Sequence, residues 1–143
     1  LSSGINAGIL RGRAISMLEG AKWRFGRGEY DLACFEAEQA TQLYVKYLLL
    51  RLCGVAPRAH RLSELLERLY SALREGFKGV AEELANFTST HRRSVWFLEE
   101  SYYRGRYGYV EYTEGDGREC IDTAEKLISL LRRVEGVVSG GRG

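Results

Sequence analysis

The sequence predicts an all-α fold, a five-helix up-and-down bundle in a single domain. Three observations carry this expectation. The run from Tyr30 to Cys53 contains no Gly or Pro and is rich in Ala, Leu, Glu and Gln, which are good helix formers. Four other segments repeat apolar residues at three- and four-residue steps. No strand pattern is longer than the fragment Tyr109-Val110-Glu111-Tyr112. A chain of 143 residues with 45% apolar and 28% charged content is large enough to bury one core and ordinary for a globular protein.

The first helix is expected from Ala7 to Arg27, with Ala7, Leu10, Ala14, Met17, Leu18, Ala21 and Phe25 on one stripe. Gly26 and Gly28 end it, and the very short link favours an antiparallel hairpin with the second helix. That second helix, Tyr30 to Cys53, is the one the others pack around. Ala33, Ala37, Ala40 and Tyr44 give it a narrow face where another backbone can come close. Leu32, Phe35, Gln39, Leu43, Lys46 and Leu50 give it a second, largely apolar face. From Leu43 onward apolar side chains occur nearly all round, the pattern of burial on several sides.

Gly54 to Ala59 reads as a loop containing Pro57, the single proline. A third helix starts near His60 with Leu62, Leu65, Leu66, Leu69 and Leu73 inward, and Gly76 and Gly79 follow it. A fourth helix is expected as one piece from Val80 to Tyr103, with Leu84, Phe87, His91, Val95, Leu98 and Tyr102 on one stripe. His91 thus falls on the buried side, where a hydrogen-bonded core or interface histidine is the simplest reading. Tyr103 to Gly117 is non-helical by pattern. Thr113-Glu114-Gly115-Asp116 has capping-box spacing, with Asp in the usual Glu or Gln position, and starts the fifth helix. There Ile121, Ala124, Leu127, Ile128, Leu131 and Val134 point inward. The expected domain is therefore 7–135, between a flexible N-terminus (1–6) and a flexible Gly-rich tail (136–143).

Composition excludes several classes of function. A net charge of +2 is too small to argue nucleic-acid binding by itself. All but four of the 21 basic residues are Arg, the lysines being Lys22, Lys46, Lys78 and Lys126. Arg suits phosphate and aromatic faces, although codon bias or adaptation to heat is the simpler explanation of the overall skew. Cys34, Cys53 and Cys120 are an odd set without paired spacing, read as buried small hydrophobes in a reducing interior rather than a disulfide framework. His60 and His91 are the only histidines and lie far apart, so no metal site and no cofactor are expected. Leu48-Leu49-Leu50 is cut by Lys46 and Arg51, well short of the roughly 20 residues of a membrane span. Leu1-Ser2-Ser3-Gly4 does not read as a secretory signal, and a cytoplasmic location is expected by default.

The segment able to carry chemistry is Ser101 to Tyr112. It holds five of the nine tyrosines, with Arg104 and Arg106 between them. Arg pairs bidentately with phosphate, a tyrosine ring stacks on a base, and Gly105 and Gly108 let the backbone approach. The competing reading is a loop folded onto the bundle, its tyrosines packed and its arginines paired with Glu99, Glu100 or Glu111.

Several stretches, taken in order, resemble the HEPN domain family. They are Gly28-Glu29-Tyr30-Asp31-Leu32-Ala33, Glu38-Gln39-Ala40, Lys46-Tyr47-Leu48-Leu49 and Ala59-His60-Arg61-Leu62-Ser63-Glu64-Leu65-Leu66. The Gln-Ala pair on the second helix and the His-x-Leu opening the third match the family order. Tyr103-Arg104-Gly105-Arg106-Tyr107 resembles the family's Tyr-x-x-x-Arg-Tyr stretch, and Tyr112-Thr113-Glu114 fits its acidic turn. The resemblance covers about residues 7 to 135. It implies a five-helix bundle that dimerises and a role with nucleotide or RNA. It also implies a minimal nucleotidyltransferase partner in a prokaryotic toxin–antitoxin or defence setting. Many members are metal-independent RNases whose motif is Arg, four to six residues, then His, at a cleft in the dimer interface.

This chain departs from that motif. From Arg106 the spacing reaches Tyr112, and no histidine follows Arg104 or Arg106. Attack by a ribose 2′-hydroxyl needs a base partly neutral near pH 7, which His supplies and Tyr, with a pKa of about 10, does not. His60 matches the family's helix-three histidine, for which capping or packing is the simpler role. The sequence therefore favours a non-enzymatic or weakly active homodimer that holds a nucleotide or RNA phosphate with Arg104 and Arg106, flanked by Tyr103 and Tyr107. Two alternatives stay open. One is a metal-independent RNase using Arg106 with His91 or Tyr112; the other is a non-catalytic protein-interaction module.

Overall fold

The structure, a computed structural model, describes residues 6–58, 61–107 and 111–140, with side chains left aside at 105–107. The described residues form six helices and no strand: α1 (Ala7–Gly26), α2 (Tyr30–Cys53), α3 (Leu62–Arg74), α4 (Lys78–Thr90), α5 (Arg92–Tyr107) and α6 (Glu114–Gly140). None is long and apolar enough to cross a membrane.

The all-α expectation holds, but the count is six, because the fourth predicted helix is two. The chain breaks at His91, whose backbone (φ −110°, ψ 32°) leaves the helical region. Its N–H closes α4 on the Phe87 carbonyl at 2.9 Å, and its own carbonyl accepts the Val95 N–H at 2.9 Å to open α5. Thr88-Ser89-Thr90 precede the break. Hydroxyl residues of this kind compete for backbone groups, as Thr88 does by donating to the Ala85 carbonyl at 3.0 Å. Apolar periodicity runs straight through such a break, so spacing alone does not reveal it.

The helix ends follow local chemistry. The Asn6 side chain accepts the Gly8 N–H at 2.9 Å and caps α1. Gly28 and Gly54, both at φ 80°, end α1 and α2 in the left-handed region that other residues disfavour. Thr113 and Asp116 form the expected capping box: the Thr113 N–H donates to Asp116 at 2.9 Å, and the Asp116 N–H donates to Thr113 Oγ1 at 3.1 Å. Helix α6 continues to Gly140, through residues the sequence assigned to a flexible tail, and α5 extends through 107 into a stretch expected to be non-helical.

Helix α2 is the centre of the fold. It packs against α1, α3, α5 and α6. Its small face is buried as expected, with Ala33, Ala37, Ala40 and Tyr44 fully enclosed. The second face is not: Leu32 is exposed, and Phe35, Gln39, Leu43, Lys46 and Leu50 are only half-buried. The other buried positions of α2 are instead Cys34, Glu38, Thr41, Gln42, Val45 and Leu48, with Tyr47 and Leu49 completing the wrap. The inward leucines of α3 and the inward stripe of α6 are all buried as predicted.

The cysteine reading needs two corrections. Cys34 of α2 and Cys120 of α6 are joined by a disulfide, their Cα atoms 5.2 Å apart. Cys53 is free and exposed. Both partners of the bridge sit on inward helical positions, so they look like any small core residue until the two helices are packed. Nearby, Gly117 is fixed by close approach, since a Cβ there would lie 3.0 Å from both Phe25 and Tyr30 ring carbons.

Candidate functional site

Two partly buried polar clusters brace the bundle, and they decide which cations remain for a ligand. The first joins α1, α2 and α6 at Glu135. Its carboxylate accepts Arg11 Nε at 2.9 Å, Tyr47 Oη at 2.8 Å and the Tyr44 hydroxyl. Burial alone would raise the pKa of this carboxyl; the hydrogen bonds from Tyr44, Tyr47 and Arg11 outweigh it and leave it lowered. Arg51 completes the set, donating to Tyr47 Oη at 3.2 Å and to Ser139 Oγ at 2.9 Å.

The second cluster joins α3 and α5. Glu99 of α5 is almost fully buried and lies over the N-terminus of α3, where it accepts the Ser63 N–H at 2.7 Å. It caps that helix from a different element, satisfying a backbone donor and meeting the positive end of the helix dipole. Arg61 Nη1 donates to Glu99 at 2.9 Å and to Glu100 at 3.0 Å. The same guanidinium lies over the Tyr103 ring, 4.7 Å from its centroid. Sequence reasoning did not assign Arg61 or Glu99 to the site. The available signal was position: Glu99 lies four residues after Val95 on the inward side of its helix, where a carboxylate must find partners.

The predicted site residues divide sharply. Arg104 is exposed on the last turns of α5 and has no partner among the described residues. Two of the carboxylates that would have neutralised it, Glu99 and Glu100, are engaged by Arg61. Tyr103 is half-buried, held between Arg61 and the edge of Tyr102, 5.0 Å away, while Tyr102 stacks on Phe35 at 5.8 Å. Arg106 and Tyr107 belong to the same helix end, but their side chains lie outside the described residues, as does His60.

Of the residues named for an RNase reading, His91 stands far from Arg106 along the helix, and Tyr112 is engaged within the fold. His91 Nδ1–H donates to the Phe87 carbonyl at 3.1 Å, and its ring stacks on Phe87 at 4.2 Å. It is half-buried at the α4–α5 junction, as a structural histidine would be. Arg106 is fifteen residues further along α5. At about 1.5 Å per residue the helix separates the two backbones by roughly 22 Å. Tyr112 is turned into the fold: its hydroxyl donates to Ser101 Oγ at 3.3 Å and its ring lies 5.8 Å from Phe97. No cluster of three metal-ligating side chains occurs among the described residues.

A helical domain with a disulfide-tied core and a helix end bearing exposed arginine and braced tyrosine is the class this geometry defines. The chain belongs to the HEPN domain family, whose model matches residues 7–134. Two solved structures share the fold. TT1696 from Thermus thermophilus superposes with a TM-score of 0.65 at 23% identity, over 89% of this chain and 96% of that one. ST0689, described as an archaeal HEPN homologue, gives a TM-score of 0.60 at 25% identity, over 90% of this chain and 96% of that one. No curated protein sequence matches significantly.

Proposed function

We propose that this HEPN domain binds a nucleotide or an RNA phosphate at the C-terminal end of α5. Arg104 and Arg106 take the phosphate and the Tyr103 and Tyr107 rings flank the base. The observation that carries the reading is the exposure of Arg104 without a partner among the described residues, beside a tyrosine braced by Arg61. An exposed arginine next to a fixed aromatic ring is suited to charge-assisted, bidentate contact with phosphate. With Arg61 and the edge of Tyr102 already against it, Tyr103 contributes its hydroxyl and the remainder of its ring. The domain works as a homodimer beside a minimal nucleotidyltransferase in a toxin–antitoxin or defence system, and it is not itself a nuclease. The separation of His91 from Arg106 and the internal engagement of Tyr112 support that last point.

Binding of AMP, ATP and a short single-stranded RNA, followed by calorimetry and thermal shift, tests the reading. A ligand at 100 times its dissociation constant stabilises the wild type by about 2.7 kcal/mol. The double change Arg104→Ala, Arg106→Ala removes that stabilisation. Unchanged affinity for all three ligands in the double variant overturns the site. Cleavage of RNA in EDTA that His91→Ala abolishes overturns the non-enzymatic reading.

A further inference from the structure

A cleft of about 490 Å³ opens at the other end of α5, between α3, α4 and the first turns of α5. That volume suits a small ligand. Leu66, Leu84 and Val95, all buried, form its floor. Its rim is polar. Arg92 and Trp96 stand four residues apart on α5, hence on one helix face, and both are exposed, Trp96 at 54%. Glu67 and Tyr70 stand on α3, three residues apart on one helix face. No ion pair joins Arg92 to Glu67 or Glu99 among the described residues, although all three line the same cleft. Neither the Ser89 nor the Tyr70 hydroxyl has a hydrogen-bond partner among the described residues.

We infer that this cleft binds a small flat aromatic ring carrying one carboxylate and one hydrogen-bond donor. The indole of Trp96 offers a stacking wall above an apolar floor. Arg92 supplies a two-pronged donor for the carboxylate. Glu67 accepts the ligand's amino or hydroxyl group from α3. The single arginine of the lining suits one negative charge rather than a polyanion, and Glu67 is the carboxylate left to face the ligand, since Glu99 is engaged by Arg61 and the Ser63 N–H. The site is separate from the arginines at the far end of α5, so it stands or falls independently of phosphate binding there.

Fluorescence of Trp96, isolated by a Trp23→Phe background, reads the site with 4-aminobenzoate as probe. A ten-heavy-atom ligand of ordinary efficiency is expected to saturate at about millimolar concentration. Benzoate, lacking the donor, and aniline, lacking the carboxylate, bind at least severalfold more weakly. Arg92→Gln weakens 4-aminobenzoate about tenfold, the usual loss for a charge-assisted hydrogen bond. Arg93→Gln, one residue along and outside the cleft lining, leaves the midpoint unchanged. Both arginines are exposed, so neither variant threatens folding. Absence of a saturable signal, equal losses in both variants, or displacement of bound 4-aminobenzoate by AMP each overturns the inference.

Discussion

The two carboxylate clusters of this bundle differ in what they leave over. Around Glu135, the donors of α1, α2 and α6 close upon one another: Arg11, Tyr44 and Tyr47 all reach the same carboxylate, and Arg51 ends on Ser139. Around Glu99, one arginine, Arg61, satisfies two carboxylates and a tyrosine face, and Arg92 and Arg104 of the same helix keep no partner among the described residues. Equivalent chemistry gives a closed brace on one side and unengaged cations on the other. The closed region should govern stability, and the open one binding.

The largest effect expected on stability comes from the covalent tie between α2 and α6, which lies outside both clusters, beside Ser101 and Asp116. The Cys34–Cys120 bridge spans 86 residues, and chain-entropy reasoning assigns a loop of that length about 4.6 kcal/mol. Denaturant unfolding with and without dithiothreitol, against Cys34→Ala, measures it; identical midpoints in all three would show that the thiols are not bonded. The second effect is pH-dependent. Glu38 on α2 is fully buried, and burial pushes its carboxyl up to about 7, against hydrogen bonds from Gln42 and Gln39; Glu99 adds to the rise and Lys46 opposes it. Because the folded state holds this proton more tightly than the unfolded chain, stability falls as pH rises from about 4.5 toward 7, by about 3 kcal/mol. Glu38→Gln, which mimics the protonated group, should flatten that slope; a slope unchanged by the substitution assigns it to other groups.

Smaller losses sharpen the contrast. Glu135→Gln leaves Arg11 and two tyrosines competing for a neutral amide and should cost about 2 kcal/mol in urea unfolding. Gly117→Val, which drives a branched side chain against Phe25 and Tyr30, should cost about 1–2 kcal/mol. Arg133→Ala removes an equally well-aligned pair with Glu83, but that pair is exposed and its loss should hardly move the melting temperature. A loss at Arg133 matching that at Glu135 would erase the distinction between the two kinds of polar contact.

Helix existence and the inward leucines were legible because both arise from spacing along one chain. The α3 leucines and the Thr113/Asp116 box are local patterns, and they appear as read. What escaped the sequence depends on juxtaposition. The break at His91 is hidden by a continuous apolar stripe, and the Cys34–Cys120 bridge needs α2 and α6 side by side. The Arg/Tyr segment was visible from composition. Its division into a braced Tyr103 and an unengaged Arg104 was not, because Arg61 comes from a distant helix start and takes the two acidic residues nearest in sequence.

The most direct test of phosphate binding at the α5 end is the salt dependence of single-stranded RNA affinity. Each phosphate neutralised on a single strand contributes about 0.7 to the slope of log K against log salt. Two arginines contacting phosphate predict that Arg104→Ala, Arg106→Ala lowers affinity and reduces that slope by about 1.4 per bound site. An identical slope and affinity in the double variant would contradict the assignment.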